Sequence, residues 1–225
     1  MNKFSWEDNA FIGLALGFIL VVGSALVAEN SGPALEEVMR GALTQVAPGE
    51  EGGSYVVGDF GSHQLGHISS DGGFGVVTDG EDSNFNGEIR SLQRRKGSLF
   101  VGGNFTSYGQ TLVGYFAKLN LEGELDREFL RNMGTGFDDV VSKVFVLPSG
   151  DLVIAGSFQS YNGSPANGLA LLKPNGKLMQ DFWGDNQLDG EILSVSESKK
   201  GSILLGGNFT SLNGKSMRHL IELER

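Results

Sequence analysis

The first strong pattern along the chain is a run of nineteen uncharged residues, AFIGLALGFILVVGSALVA, from Ala10 to Ala28. An α-helix needs roughly 20 apolar residues to cross a bilayer. The pattern therefore predicts a leader over residues 1–9, a transmembrane helix over 10–28 and a linker over 29–35. A cleaved signal peptide, cut near Gly23, Ala25 or Ala28, is the competing reading. The run exceeds the roughly 7 to 15 residues of a signal core, and Glu7 and Asp8 stand beside Lys3 in the leader, so a retained anchor is favoured. Gly13, Gly17, Ser24 and Ala28 fall on nearly one face of that helix, a small-residue stripe suited to close packing against other membrane helices. Lys3 and the free amine precede the helix, whereas the first basic residue after it is Arg40, which places the amino terminus in the cytoplasm.

Beyond the linker the pattern changes to short β-branched apolar runs, each closed by Gly, a small polar residue and Phe. The four copies are SYVVGDFG from Ser54, LFVGGNFTSYG from Leu99, LVIAGSFQSYNG from Leu152 and ILLGGNFTSLNG from Ile203. Their anchoring glycines Gly58, Gly103, Gly156 and Gly207 are 45, 53 and 51 residues apart, the spacing of propeller blades. An alternating strand precedes each anchor and another follows it, and pairs such as Lys96-Gly97 and Asn175-Gly176 mark the tight turns between them. About twelve strands and no soluble helix are expected. The fold class read from the pattern is all-β: a four-repeat β-propeller-like body over residues 36–225, preceded by one transmembrane α-helix. The repeats run over about 36–80, 87–132, 138–184 and 189–225. Phe60, Phe105, Phe158 and Phe209 are the expected core residues between neighbouring sheets.

Composition sharpens this picture. The 225 residues include 35 Gly but only 5 Pro and no three-residue period, which excludes collagen and assigns the glycine to turns. A net charge of -10 works against a phosphate backbone, so no nucleic-acid partner is expected. With no Cys there is neither a disulfide nor a thiolate site, and 3 His offer little for catalysis.

The pattern G-x-hydrophobic-hydrophobic-x-G-G-N-F-T, followed by an apolar strand and D/N-G-x-L-D-x-x-F, resembles the delta-60 repeat of bacterial surface and secreted proteins. The resemblance covers residues 36–225 and is strongest over Gly97–Phe129 and Gly201–Gly214. The first copy lacks the Thr after Phe60. The resemblance implies a propeller-like architecture with no shared catalytic activity.

Several residues invite chemistry. Asp59, Asn104, Ser157 and Asn208 recur at one position of the repeat and form a candidate ligand ring, although turn capping explains the same residues more simply. In the acidic loop, Asp82, Asn84 and Asn86 fit positions 1, 3 and 5 of a calcium-loop template, but position 12 is Gln93, so they make a weak calcium site. His63 and His67 lack an accompanying carboxylate pattern, and no metal site is assigned. A hydrolase reading would rest on Asp138, Asp139 or Asp189. No nucleophile elbow, P-loop or dinucleotide fingerprint is present, so no enzyme activity and no cofactor are expected. The function expected is that of an accessory or structural subunit of the bacterial inner membrane. Its single-pass helix and periplasmic propeller would contact other membrane-protein subunits. The alternative is an extracytoplasmic module, secreted or anchored, that binds a glycan, cell-wall component or small molecule.

Overall fold

The computed structural model describes residues 41–49, 52–77, 80, 84–180 and 182–224. The predicted membrane helix with Gly13, Gly17, Ser24 and Ala28, the linker and Asp82 lie outside them. Among the described residues no helix is long and apolar enough to cross a membrane. The chain divides into two compact units, Met1–Val76 and Val77–Arg225.

The first unit holds repeat 1. Strands β1 (Gln45–Pro48), β2 (Ser54–Val57), β3 (Leu65–Ile68) and β4 (Phe74–Val76) form one antiparallel meander in chain order. The expected unit had three strands. The fourth arises because the turn at Asp71-Gly72, where Gly72 has φ 89°, returns Phe74 alongside Ile68. Phe74 then packs at 4.7 Å from Phe60, in a cluster with Leu43, Val56, Val46 and Ile68.

The second unit holds repeats 2, 3 and 4, each a three-stranded antiparallel sheet. Repeat 2 uses β5 (Glu88–Arg95), β6 (Ser98–Asn104) and β9 (Phe116–Asn120). Repeat 3 uses β10 (Val141–Val146), β11 (Leu152–Gly156) and β14 (Leu169–Leu172), and repeat 4 uses β15 (Ile192–Glu197), β16 (Ile203–Gly207) and β19 (Leu220–Leu223). The register of each first pair shifts once, between Ile89 and Ser91, Val141 and Lys143, and Ile192 and Ser194. At these bulges the backbones press together. A Cβ on Gly103, Gly156 or Gly207 would stand 2.1, 2.0 or 2.0 Å from the carbonyl oxygen of Glu88, Val140 or Glu191, at or just ahead of the start of the first strand, so only glycine fits the anchor position.

Two kinds of element go beyond the expected strand unit. In the second unit the loop after each anchor folds into a hairpin of two-residue strands: β7 (Ser107–Tyr108) with β8 (Thr111–Leu112), β12 (Ser160–Tyr161) with β13 (Ser164–Pro165), and β17 (Ser211–Leu212) with β18 (Lys215–Ser216). A helix also forms where none was expected. In α1 (Arg127–Met133), the Asp126 side chain accepts the Phe129 N–H at 2.9 Å, Gly134 ends the helix with φ 64°, and Phe129 and Met133 are buried. A local cap and two buried anchors thus make a helix in a segment from which only a connection between repeats was expected.

Strand side chains alternate between two faces, here called leading and trailing. The trailing face of repeat 2, with Phe100 and Phe116, packs on the leading face of repeat 3, with Val141, Val144, Ile154 and Ala170. In the same way the trailing Val153, Ala155, Leu169 and Leu171 of repeat 3 meet the leading Ile192, Val195, Leu205 and Ile221 of repeat 4. The four repeat phenylalanines are buried, Phe60 at 7%, Phe105 at 1% and Phe158 and Phe209 at 0% exposure. Phe105 is paired with Phe85, and Phe158 with Phe137, each at 4.3 Å between ring centroids.

Candidate functional site

The polar residues with the most regular surroundings are not the ones the anchor motif singles out. Just ahead of each first strand stand Phe85-Asn86, Phe137-Asp138 and Leu188-Asp189. Each apolar member bridges to the following short hairpin, at Tyr108, Tyr161 and Leu212. Each polar member clamps the start of that hairpin. Asn86 Oδ1 accepts the N–H groups of Thr106 and Ser107 at 2.8 and 3.0 Å, and its Nδ2 donates to Thr106 Oγ1 at 2.9 Å. Asp138 Oδ1 accepts from the Gln159 and Ser160 N–H groups at 2.8 and 3.0 Å, and its Oδ2 accepts from Ser160 Oγ at 2.9 Å. Asp189 accepts from the Thr210 and Ser211 N–H groups at 2.7 and 2.8 Å and from Thr210 Oγ1 at 2.6 Å. The spacing of about twenty residues between clamp and hairpin hid this relation from motif reading. The recurring Phe/Leu-Asn/Asp pair is the signal that could have revealed it.

The same bonds set the acidity of these groups. At Asp189 the Thr210 hydroxyl, then the Ser211 and Thr210 N–H groups, hold the carboxyl well below the usual carboxylate range. At Asp138 partial burial pushes the value up, but the Ser160 N–H and hydroxyl and the Gln159 N–H outweigh it and the net shift is downward. Neither carboxylate is poised as an acid or base near neutral pH. Asp139 Oδ1 accepts the Val140 N–H at 2.7 Å.

The candidate ligand ring is distributed differently. Asp59, in the first unit, accepts the Gly61 N–H at 3.0 Å. In the second unit, Asn208 Oδ1 accepts the Glu191 N–H at 2.6 Å, while Asn104 ends β6 exposed. Ser157 lines an open cleft of about 380 Å³ at the junction of repeats 3 and 4, together with Gln159, Asn167, Gln187, Asp189 and Glu191. Of the calcium candidates, Asn84 Oδ1 accepts the Phe85 N–H at 3.0 Å, and Asn86 is committed to its hairpin. His67 packs on Tyr55 at 4.7 Å, and His63 Nδ1 lies 3.0 Å from Ser62 Oγ. Among the described residues no three His, Cys, Asp or Glu side chains converge as a metal site would require.

Stacked three-stranded sheets with a recurring clamp define the class: the chain is a β-propeller repeat protein. A family model described as a domain of unknown function (DUF5122) beta-propeller matches residues 97–129 and 147–178, within repeats 2 and 3. Among solved structures, the computationally designed Ika4 protein matches with a TM-score of 0.51 at 11% identity, over 88% of this chain and 100% of that one. A protein of unknown function from Bacteroides caccae matches with a TM-score of 0.41 at 14% identity, over 81% of this chain and 61% of that one. YCF48 bound to D1 peptide matches with a TM-score of 0.44 at 14% identity, over 76% of this chain and 50% of that one. The chain thus spans only part of the length of the last two. No curated protein matches it.

Proposed function

We propose that the protein is a non-catalytic contact subunit: repeats of delta-60 type, held at the bacterial inner membrane by the helix predicted over residues 10–28, whose extracytoplasmic surface binds other membrane-protein subunits. The observation that carries this reading is the use of the recurring polar side chains. Asn86, Asp138 and Asp189 are each engaged by two backbone donors and a hydroxyl of their own repeat. Such residues build a scaffold, and function then falls to the surfaces the scaffold presents. Extraction of the intact chain in mild detergent should recover other membrane polypeptides in fixed ratio. Gly13→Leu with Gly17→Leu should release them. Unchanged co-purification would remove the stripe from the account, and recovery of no other polypeptide with the unaltered chain would remove the subunit role.

A second reading rests on the cleft of about 380 Å³, whose lining is largely polar. It would suit a small hydroxyl-rich ligand such as a glycan fragment, held by amide side chains. Calorimetry with cell-wall fragments separates the readings: saturable binding lost in Gln159→Ala with Gln187→Ala favours a ligand-binding module.

A further inference from the structure

Just ahead of the third strand, one residue takes positive φ in each of repeats 2, 3 and 4, and it differs from repeat to repeat: Tyr115 (φ 65°), Gly168 (φ 79°) and His219 (φ 45°). The positions are equivalent, because their carbonyls accept the N–H groups of the anchor glycines Gly103, Gly156 and Gly207 at 3.2, 3.1 and 3.1 Å. Tyr115 shows what the position can hold. It packs on the core shared by repeats 2 and 3, against a cluster that contains Phe137 and Val141. The counterparts of these two residues are Leu188, which bridges to the hairpin as Phe137 does, and Ile192, which faces the anchor glycine as Val141 does. In repeat 3 the position carries no side chain. Gly168, Leu188 and Ile192 instead line the open cleft of about 380 Å³, both walls of which belong to the second unit.

The main chain beside the cleft differs as well. Between repeats 2 and 3 the Phe137 N–H donates to the Gly114 carbonyl at 3.1 Å. Between repeats 3 and 4 the corresponding carbonyl, that of Asn167, accepts Trp183 Nε1 at 3.2 Å, and the Leu188 N–H has no acceptor among the described residues. The cleft thus combines a space left by a missing side chain, an apolar floor, a backbone donor without a partner, and a polar rim that includes Ser157, Gln159 and Gln187.

We propose that this cleft binds a tyrosine side chain of a partner polypeptide, in the place that Tyr115 fills from within the chain between repeats 2 and 3. The ring would lie over Leu188 and Ile192, the phenol hydroxyl would meet the polar rim, and a carbonyl of the partner's backbone would accept the Leu188 N–H. Tyrosine suits a site of this kind because it joins a large apolar body to a polar tip, and such anchors carry much of the energy of protein interfaces. The proposal rests on reading the chain as a contact subunit and names the group by which a partner is held.

Trp183 reports on the cleft, since its indole is bonded to Asn167. In the full-length chain carrying Trp6→Phe, Trp183 is the single tryptophan. Titration of that chain in detergent with N-acetyltyrosinamide should change the Trp183 emission saturably. Gly168→Tyr should plug the cleft from within and weaken this binding at least about tenfold, with an unchanged circular dichroism spectrum. Gly168→Ala brings the same Cβ to 3.1 Å from the Gly156 carbonyl oxygen but adds no ring, and should bind as the unaltered chain does. A comparison of probes keeps the test independent of these variants: N-acetylalaninamide, the same backbone without the ring, should bind at least about tenfold more weakly than N-acetyltyrosinamide. No saturable change, equal binding of the two probes, or undiminished binding by a folded Gly168→Tyr chain overturns the proposal. Binding of N-acetylglucosamine in place of N-acetyltyrosinamide overturns it in favour of the hydroxyl-rich ligand. Failure here with other membrane polypeptides still co-purifying would leave the contact role standing. Probe binding by a chain that recovers no other polypeptide would do the reverse.

Discussion

At the scale of single residues, the clamp explains why three different sequence contexts produce one hairpin. Asn86 does with an amide what Asp138 and Asp189 do with a carboxylate, and this difference has a consequence in acid. A carboxylate whose folded pKa is lowered contributes stability that is present above its unfolded pKa, near 4, and is lost as pH falls through the folded value. Protection of the Gln159, Ser160, Thr210 and Ser211 amides against hydrogen exchange should therefore fall as pH is taken below 4. Thr106 and Ser107, held by Asn86, should keep theirs. Equal loss at all three hairpins would show that the carboxylates do not hold them. Asp189→Asn should preserve the hairpin and abolish its acid sensitivity, whereas Asp189→Ala should expose it at every pH. The fully buried Phe158 sits in the core shared by repeats 2 and 3, and Phe158→Ala should cost about 3 to 5 kcal/mol in urea unfolding. A cost below about 1 kcal/mol would mean that the site collapses around the smaller side chain.

At the scale of elements, the sequence and the structure agree where a signal is local and part where it depends on distant groups. The second strands were legible because β-branched runs end at Gly103, Gly156 and Gly207, and the turn at Lys96-Gly97 was legible because both residues take positive φ. The short hairpins and α1 were not. Tyr108 and Tyr161 reach the Gly123 and Gly176 carbonyls at 2.9 and 2.6 Å, and Phe129 is fixed by neighbours in the core, none of which a local window contains. Asp126 also lies 2.7 Å from Lys118, so one side chain joins the helix cap to β9. Asp126→Ala should cost about 1 kcal/mol, through the cap chiefly and the ion pair secondarily, and an unchanged unfolding midpoint would deny the cap its role. Gly102 and Gly206 make a matched pair. A methyl at Gly102 meets short, branched valines of the next repeat and should cost about 1 to 3 kcal/mol. The same methyl at Gly206 meets the Ser194 hydroxyl, which can rotate away, and should be nearly neutral in the isolated chain. Equal costs would mean that the two faces are equally covered.

At the scale of the whole molecule, the carboxylates that recur at one position of the repeats, Asp138 and Asp189, are bound to the backbone and hydroxyl groups of their own hairpins. The regular features of the repeats are used to build the scaffold. What distinguishes one repeat from the next is its exposed surface, and the net charge of -10 tunes that surface away from polyanions without choosing a partner. Neither the motif nor the composition could name a partner for the proposed contact surface, because such a surface is assembled from residues that have no common spacing. Native mass spectrometry of the intact chain, extracted from membranes in mild detergent, decides whether the protein is a membrane-held contact subunit. The expected result is an uncleaved chain of 24.0 kDa held in stoichiometric complex with other membrane polypeptides. A shortened chain recovered free of every other polypeptide would contradict it.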